Sequence, residues 1–367
     1  MGHGDTELIF KRRTTRLVTA GNVGIGGESP VSVQSMTNTP TSDAAATIAQ
    51  VRRLAALGAE LVRISVPDDA SADALPGIVE QSPVPLVADI HFRADLALRA
   101  LEARVSKLRL NPGNISRKRD VLRIAEKASG SGTPIRVGIN SGSVPGDLRT
   151  RYGGLSPDSL WAAARRHLDI LEEAGFTDVV LSIKASDPLL TVAANRRAAW
   201  ECDYPLHIGV TEAGPPSLGA ARSAVAASLL FSSGIGDTLR VSLSGPPEAE
   251  VPVAWEILQS LRLRRGRPRL VSCPTCARCR VDVAGLAAKV QDMLSGMEGE
   301  FVVAVMGCEV NGPGEARDAD LAVVGTPAGA ILFSGGRRLS GVLDASGLEK
   351  ALEEGIRSLA GKRGGSS

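Results

Sequence analysis

Four of the five cysteines in this 367-residue chain fall in its last third, at spacings suited to a metal centre. SCPTCARC sets Cys273, Cys276 and Cys279 at two overlapping CxxC steps, and Cys308 ends the apolar run FVVAVMGC. A CxxC turn lets two thiolates converge, and iron and zinc both accept thiolates. The loop that Cys308 opens, CEVNGPGEA, contains Gly312, Pro313 and Gly314, with Glu315 at its far end. Such a loop bends closely around a bulky object and turns backbone N–H groups inward. Two ligand sets are compatible with the spacing. Four sulfurs (Cys273, Cys276, Cys279, Cys308) would suit structural zinc or a closed cluster. Three sulfurs and an oxygen would leave one iron open to substrate.

A second constellation comes from the ends of apolar runs. It comprises Arg63 in VRISVP, Asp89 and His91 in ADIHF, and Arg109 and Asn111 in LRLNPGN. Arg136 and Asn140 follow in IRVGINSGS, Lys184 in LSIKAS, Glu212 in GVTEAG, and Arg240 and Ser242 in LRVSLSG. If the runs are strands of one barrel, four arginines and a lysine meet at one mouth. Unpaired, they would repel strongly in a partly dehydrated pocket. A dianionic or trianionic ligand resolves the conflict, and arginine forks suit phosphate oxygens. His91 and Asn111 share those strand ends and are candidate substrate contacts. Glu212 would lie in this basic pocket, ionised by its neighbours. His207, within PLHIGV, reads as a core histidine, and His167 as a surface residue of a helix.

The elements that must position these groups are legible as alternating runs. Strands are expected over 31–36, 61–66, 85–90, 107–112, 134–139, 178–184, 205–210 and 237–243, each followed by a segment of helical period. Eight βα units over about 250 residues match a (β/α)8 TIM barrel. An open doubly wound sheet fits less well, because GxGxxG is missing after the first strand. Before the barrel, 16–27 (RLVTAGNVGIGG) reads as a β-hairpin covering its bottom. The expected domains are a barrel over 1–262, a basic linker over 263–270, an α/β cluster domain over 271–361 and a tail over 362–367. In the small domain a helix is expected over 282–297, a strand over 301–308, a hairpin from 320–324 and 330–334, and a closing helix over 343–360.

Composition excludes several classes. Hydrophobic residues are 43% and charged residues 22%, with a formal charge of +2, so no polyanionic macromolecule is implied. Aromatics at 3% are too few for the stacking that single-stranded nucleic acid needs. No stretch approaches the roughly 18 consecutive apolar residues of a membrane span. MGHGDTELIFKRRTTRL has no apolar core behind a positive region, and clustered thiols fit a cytoplasmic enzyme.

CPTC followed by MGCEVNGPGEA resembles the C-terminal domain of the 4-hydroxy-3-methylbut-2-en-1-yl diphosphate synthase family of the non-mevalonate isoprenoid pathway. The likeness extends through the barrel to nearly the whole chain, in the family's shorter two-domain form. It implies a [4Fe–4S] cluster on Cys273, Cys276, Cys308 and Glu315. Cys279 departs from that pattern and stands outside this ligand set. It also implies reductive ring opening and dehydration of 2-C-methyl-D-erythritol 2,4-cyclodiphosphate to (E)-4-hydroxy-3-methylbut-2-enyl diphosphate. The substrate would be held by Arg63, Arg109, Arg136, Lys184 and Arg240, with Asn140 and Ser242 nearby. Glu212 would handle a proton. No flavin or nicotinamide fingerprint appears, so flavodoxin or ferredoxin would deliver the electrons. The family implies a homodimer in which one subunit's cluster domain caps the partner's barrel. A barrel enzyme for a phosphate ligand with a structural zinc module is the alternative, and it leaves GCEVNGPGE unexplained.

Overall fold

The computed structural model describes residues 11–363 apart from 112–114, 116 and 311; the side chains of 313, 315, 362 and 363 are also outside the description. Among the described residues the chain separates into two compact units, divided between Arg264 and Arg265. No described helix is long and apolar enough to cross a membrane.

The first unit opens with an antiparallel hairpin, β1 (Val18–Ala20) and β2 (Val23–Ile25). Eight parallel strands follow: β3 (Ser32–Met36), β4 (Leu61–Val66), β5 (Leu86–Ile90), β6 (Lys107–Leu110), β7 (Ile135–Asn140), β8 (Val179–Lys184), β9 (His207–Ile208) and β10 (Thr238–Leu239). They pair in chain order, and β10 returns to β3. The ring closes where Leu181 bridges Leu206 and the Leu181 N–H donates to the Pro205 carbonyl at 2.9 Å. The eight expected strands are therefore present as a TIM barrel, although residue 112 of the fourth lies outside the described residues.

Among the described residues nine helices flank these strands: α1 (Ala44–Ala56), α2 (Asp69–Gln81), α3 (Ala94–Glu102), α4 (Lys118–Ser131), α5 (Gly146–Arg151), α6 (Pro157–Glu173), α7 (Pro188–Glu201), α8 (Pro216–Phe231) and α9 (Glu250–Ser260). Local chemistry sets their starts. Asp43 caps α1 by accepting from the Ala46 N–H at 3.0 Å, and Ser156 caps α6 just before Pro157 at its first position. Ile48, Val51 and Leu54 line one face of α1 and are buried against the sheet. Each such burial stabilises the fold by about 1.5–3 kcal/mol.

Strand alternation splits the barrel's residues between two environments. Outward residues such as Ile64, Ala88, Leu108, Val137 and Ile183 join the helices in one apolar core. Inside, Leu61, Val87 and Val180 pack on Val18, Ala20 and Ile25 of the hairpin, which plugs the bottom. Above that layer the interior departs from the usual Val, Ile and Leu filling of such barrels. Arg63, Asp89, Lys107, Arg109, Arg136 and Lys184 fall on the inward alternation, and all but Arg63 are buried.

The second unit is a five-stranded sheet, in order β11 (Arg269–Ser272), β12 (Val302–Met306), β13 (Leu321–Thr326), β14 (Gly329–Ser334) and β15 (Arg337–Arg338). The first three strands run parallel, and the last two are antiparallel additions. One face packs on α10 (Val283–Leu294) and α12 (Ala345–Arg363) through Val290, Leu294, Val303, Val323, Leu352 and Ile356. The other face holds Ala304, Met306, Ala316 and Val324. A short helix, α11 (Gly312–Glu315), lies between β12 and β13.

The seventh and eighth strands, expected over 205–210 and 237–243, are shorter, at His207–Ile208 and Thr238–Leu239, and two further stretches differ from the sequence expectation. The basic run over 263–270 is not a solvated connection throughout. Arg264 forks onto Glu60 with both contacts at 3.0 Å and stacks on the Trp255 ring at 4.5 Å, while Arg269 and Leu270 already belong to β11. At the other end α12 runs to Arg363, so of the expected tail only 364–367 lie outside the described residues.

Candidate active site

Register builds the centre of the barrel. Asp89 on β5 pairs with Arg109 on β6, and Arg109 with Arg136 on β7, so the three side chains enter the barrel side by side. Asp89 Oδ1 accepts from Arg109 at 3.0 Å, and its Oδ2 lies 3.6 Å from Arg63 Nε and 3.9 Å from His91 Nε2. Gly138 on β7 makes room for this arrangement, since a Cβ there would stand 2.8 Å from Arg109 Nε. Arg63 also rests on the Met36 thioether, 2.7 Å from its nearer nitrogen.

Arg136 is buried, and its Nε and one terminal nitrogen have no hydrogen-bond partner. Lys184, at the end of β8, lies 3.2 Å from His207 Nε2. An ammonium donating there leaves the ring hydrogen on Nδ1, which has no partner. Arg240 is backed by Glu250 at the start of α9, 3.3 Å away. Glu250 also accepts from the Leu243 N–H at 3.0 Å, which holds the turn after β10.

The electrostatics follow from this excess of cations. Burial opposes ionisation of Asp89, but Arg63, Arg109, His91 and Arg136 outweigh it and hold its carboxyl down at about 2. Burial first, then neighbouring cations, push Arg136 and Lys184 well below their ordinary values. Burial and the Lys184 charge keep the His207 ring neutral. The interior therefore holds desolvated cations short of counter-charge, which is the environment a polyanion would relieve.

Arg63, His91, Arg109, Arg136, Lys184 and Arg240 are thus brought into one electrostatic neighbourhood. Asn111 is buried just after β6, Asn140 is half-buried as the last residue of β7, and Ser242 is half-buried beyond β10. Glu212 differs from expectation. It is exposed beyond β9 on a left-handed backbone position (φ 54°), and among the described residues it has no ion pair, so the cations do not surround it. His167 is also corrected: it is buried on the inner face of α6, and burial alone pushes its imidazole down to about 4. Sequence reasoning missed Lys107 and Glu250. Lys107 had a signal, since it alternates with Arg109 in KLRL; Glu250 had none.

In the second unit parallel pairing sets two thiol-bearing loops side by side, because Ser272 pairs with Val305 just before Cys273 and Gly307. The Gly307 N–H donates to Cys273 Sγ at 3.1 Å, and the Cys276 N–H to Cys279 Sγ at 3.4 Å. A Cβ on Gly307 would stand 2.6 Å from Cys279 Sγ, so this glycine lets the Cys308 loop approach the CxxC loop. Cys273, Cys279 and Cys308 are half-buried, and Cys276 is exposed. A hydrogen bond from the Arg278 backbone, then the Arg278 charge, hold the Cys276 thiol below its ordinary value. All four thiols are free. Among the described residues no three Cys, His, Asp or Glu side chains converge tightly enough to hold a single metal ion. The Glu315 side chain lies outside the described residues.

Comparison with known proteins covers both units. The GcpE TIM-barrel domain matches residues 15–255, and the GcpE protein C-terminal domain matches 269–358. A protein of Natranaerobius thermophilus called 4-hydroxy-3-methylbut-2-en-1-yl diphosphate synthase (flavodoxin) is 48% identical, over 96% of this chain and 100% of its own. A Geobacter sulfurreducens protein of the same name is 47% identical over 95% of this chain and 99% of its own. A third, from Maridesulfovibrio salexigens, is 49% identical over 89% and 92%.

Proposed function

The chain belongs to the GcpE family, and from that premise we propose how its residues divide the work. It is an enzyme that converts 2-C-methyl-D-erythritol 2,4-cyclodiphosphate to (E)-4-hydroxy-3-methylbut-2-enyl diphosphate, with flavodoxin as electron donor. The observation that carries the barrel assignment is the buried Arg136, two of its nitrogens without a partner, among Arg63, Arg109, Lys184 and Arg240; among the described residues Asp89 and Glu250 are the acids paired with this group. These cations bind the diphosphate and neutralise it as its ring linkage becomes the leaving group. Asp89 orients the Arg109 and Arg63 forks, and Glu250 orients Arg240. His91, Asn111, Asn140 and Ser242 supply neutral contacts around the sugar-derived carbons. Glu212, at the rim, moves the proton that accompanies loss of water.

Cys273, Cys276, Cys308 and Glu315 are assigned as ligands of a [4Fe–4S] cluster. Free thiols on two adjacent loops, with Cys273 accepting the Gly307 N–H, fit such a group. When bound, the cluster supplies two electrons one at a time. Clustered free thiols support a reducing compartment, the cytoplasm, for this enzyme, and the family likeness supports a homodimer as the functional unit. The structural zinc alternative is less well supported, because it leaves the GCEVNGPGE loop without a role.

One experiment tests the assignment. The chain is purified anaerobically, its visible spectrum recorded, and turnover measured with reduced flavodoxin. A brown protein is expected, and Glu212→Gln should keep the colour yet lose turnover. A colourless zinc protein would overturn the cluster, and full activity of the variant would remove Glu212 from the reaction. Sedimentation at the mass of one chain would refute the dimer.

A further inference from the structure

Lys107 opens β6 two residues below Arg109 and shares its inward alternation, one step above the hairpin plug. It is completely buried, and its Nζ has no hydrogen-bond partner. Its neighbour on β5 is Val87, and the charges nearest to it are Arg136 from β7 and Arg63 from β4. His207 from β9 is also within electrostatic range. The acids of the barrel interior are engaged elsewhere, Asp89 with Arg109 and Arg63, and Glu250 with Arg240. Among the described residues an ammonium at this position would have no acceptor and no counter-ion.

Nothing in the assigned chemistry uses this amine. A buried lysine in such surroundings sheds its proton, and burial with the Arg136 and Arg63 charges drives Lys107 in that direction. An anion seated on Arg136 and Arg63 reverses the sign of the field that the amine experiences. We infer that Lys107 is a charge held in reserve: a neutral amine in the free barrel that takes a proton from solvent when a diphosphate seats above it. The inference rests on the reading of the barrel as a diphosphate site. Lys107 is a positioning residue, acting on the ligand through the arginines. The only bond formed is N–H, and binding therefore weakens as pH rises, by up to tenfold per pH unit.

The test uses the full-length, cluster-loaded chain and inorganic pyrophosphate as probe. Calorimetric titrations in two buffers of different ionisation heat report protons taken up per ligand bound, for the parent and for Lys107→Met. Pyrophosphate's own protons, and any taken up by Lys184 or His91, are common to both proteins and cancel in the difference. The parent is expected to take up about one proton more than the variant, and to lose affinity more steeply between pH 6.5 and 8.5. Free of ligand, Lys107→Met should melt at a higher temperature than the parent, because a stranded polar group is replaced by an apolar one of similar length. Binding with equal proton uptake in both proteins overturns the inference and leaves the diphosphate site standing. A variant that melts lower or fails to fold makes Lys107 a structural amine, which also overturns it. Absence of pyrophosphate binding by the parent overturns both readings.

Discussion

Asp89→Asn keeps the shape of the side chain and removes the carboxylate shared by Arg63 and Arg109. Its carboxyl is held at about 2 instead of 3.8. A difference of roughly two, at about 1.4 kcal/mol for each, makes the ionised form better off here than in the unfolded chain by about 2–3 kcal/mol. Removing it also strands two guanidinium groups that are 6% and 13% exposed. Breaking a buried pair of this kind costs about 3–5 kcal/mol. For a unit of this size that corresponds to a fall in Tm of about 6–20 °C. Calorimetry of the barrel transition, with urea unfolding at an unchanged slope, measures it. Because the native carboxyl is depressed, its contribution is complete above pH about 4 and is lost as pH falls through about 2. The gap between parent and variant should therefore be constant near neutrality and close in acid. Saturating pyrophosphate should stabilise the variant more than the parent, since the variant's pocket is more positive. A loss below about 1 kcal/mol, or a gap unchanged in acid, would refute this account of how the arginines are held.

His167 titrates near 4 in the fold against 6.5 when unfolded, so stability is full above pH 6.5 and falls progressively towards pH 4, by about 3 kcal/mol. His167→Gln should flatten that part of the pH–stability curve, and an unchanged slope would place the titration elsewhere. Gly138→Ala puts a methyl 2.8 Å from Arg109 Nε and should raise KM about tenfold while the visible spectrum stays the same. Cys308→Ser is expected to lose the visible absorbance of the purified protein, and Cys279→Ser to retain it. Loss of colour in the second variant would bring Cys279 into the ligand set.

The eight strands were legible because each is an apolar run separated from the next by a helical period, and the basic residues at their ends were found by reading to the last inward position. That reading stopped at the mouth. Lys107 lies one alternation deeper, where KLRL carries the signal but a core position is ordinarily apolar. Glu250 reaches Arg240 across a turn of irregular backbone, and no periodicity reports such a contact. His167 sits seven residues after Leu160 and four after Ala163, on the stripe that packs α6 inward, so the helical period already argued for burial. Glu212 was misplaced because composition does not reveal a left-handed turn at a residue other than glycine. Arg264 shows the limit of reading a basic run as solvated, since its partners Glu60 and Trp255 are remote in sequence or on another element.

The hairpin of β1 and β2 seals the lower end of the barrel with Val18, Ala20 and Ile25. With that end plugged, a ligand of the barrel's cations approaches them from the opposite end. Substrate, the water it displaces, the released water and the linear diphosphate all share the same passage, and none can leave by the far side. Entry and exit are therefore mutually exclusive events. The linear product keeps both phosphates that the cations recognise, so it competes for the route by which the next substrate arrives. A tighter grip on the diphosphate would therefore retain the product as much as it captures the substrate.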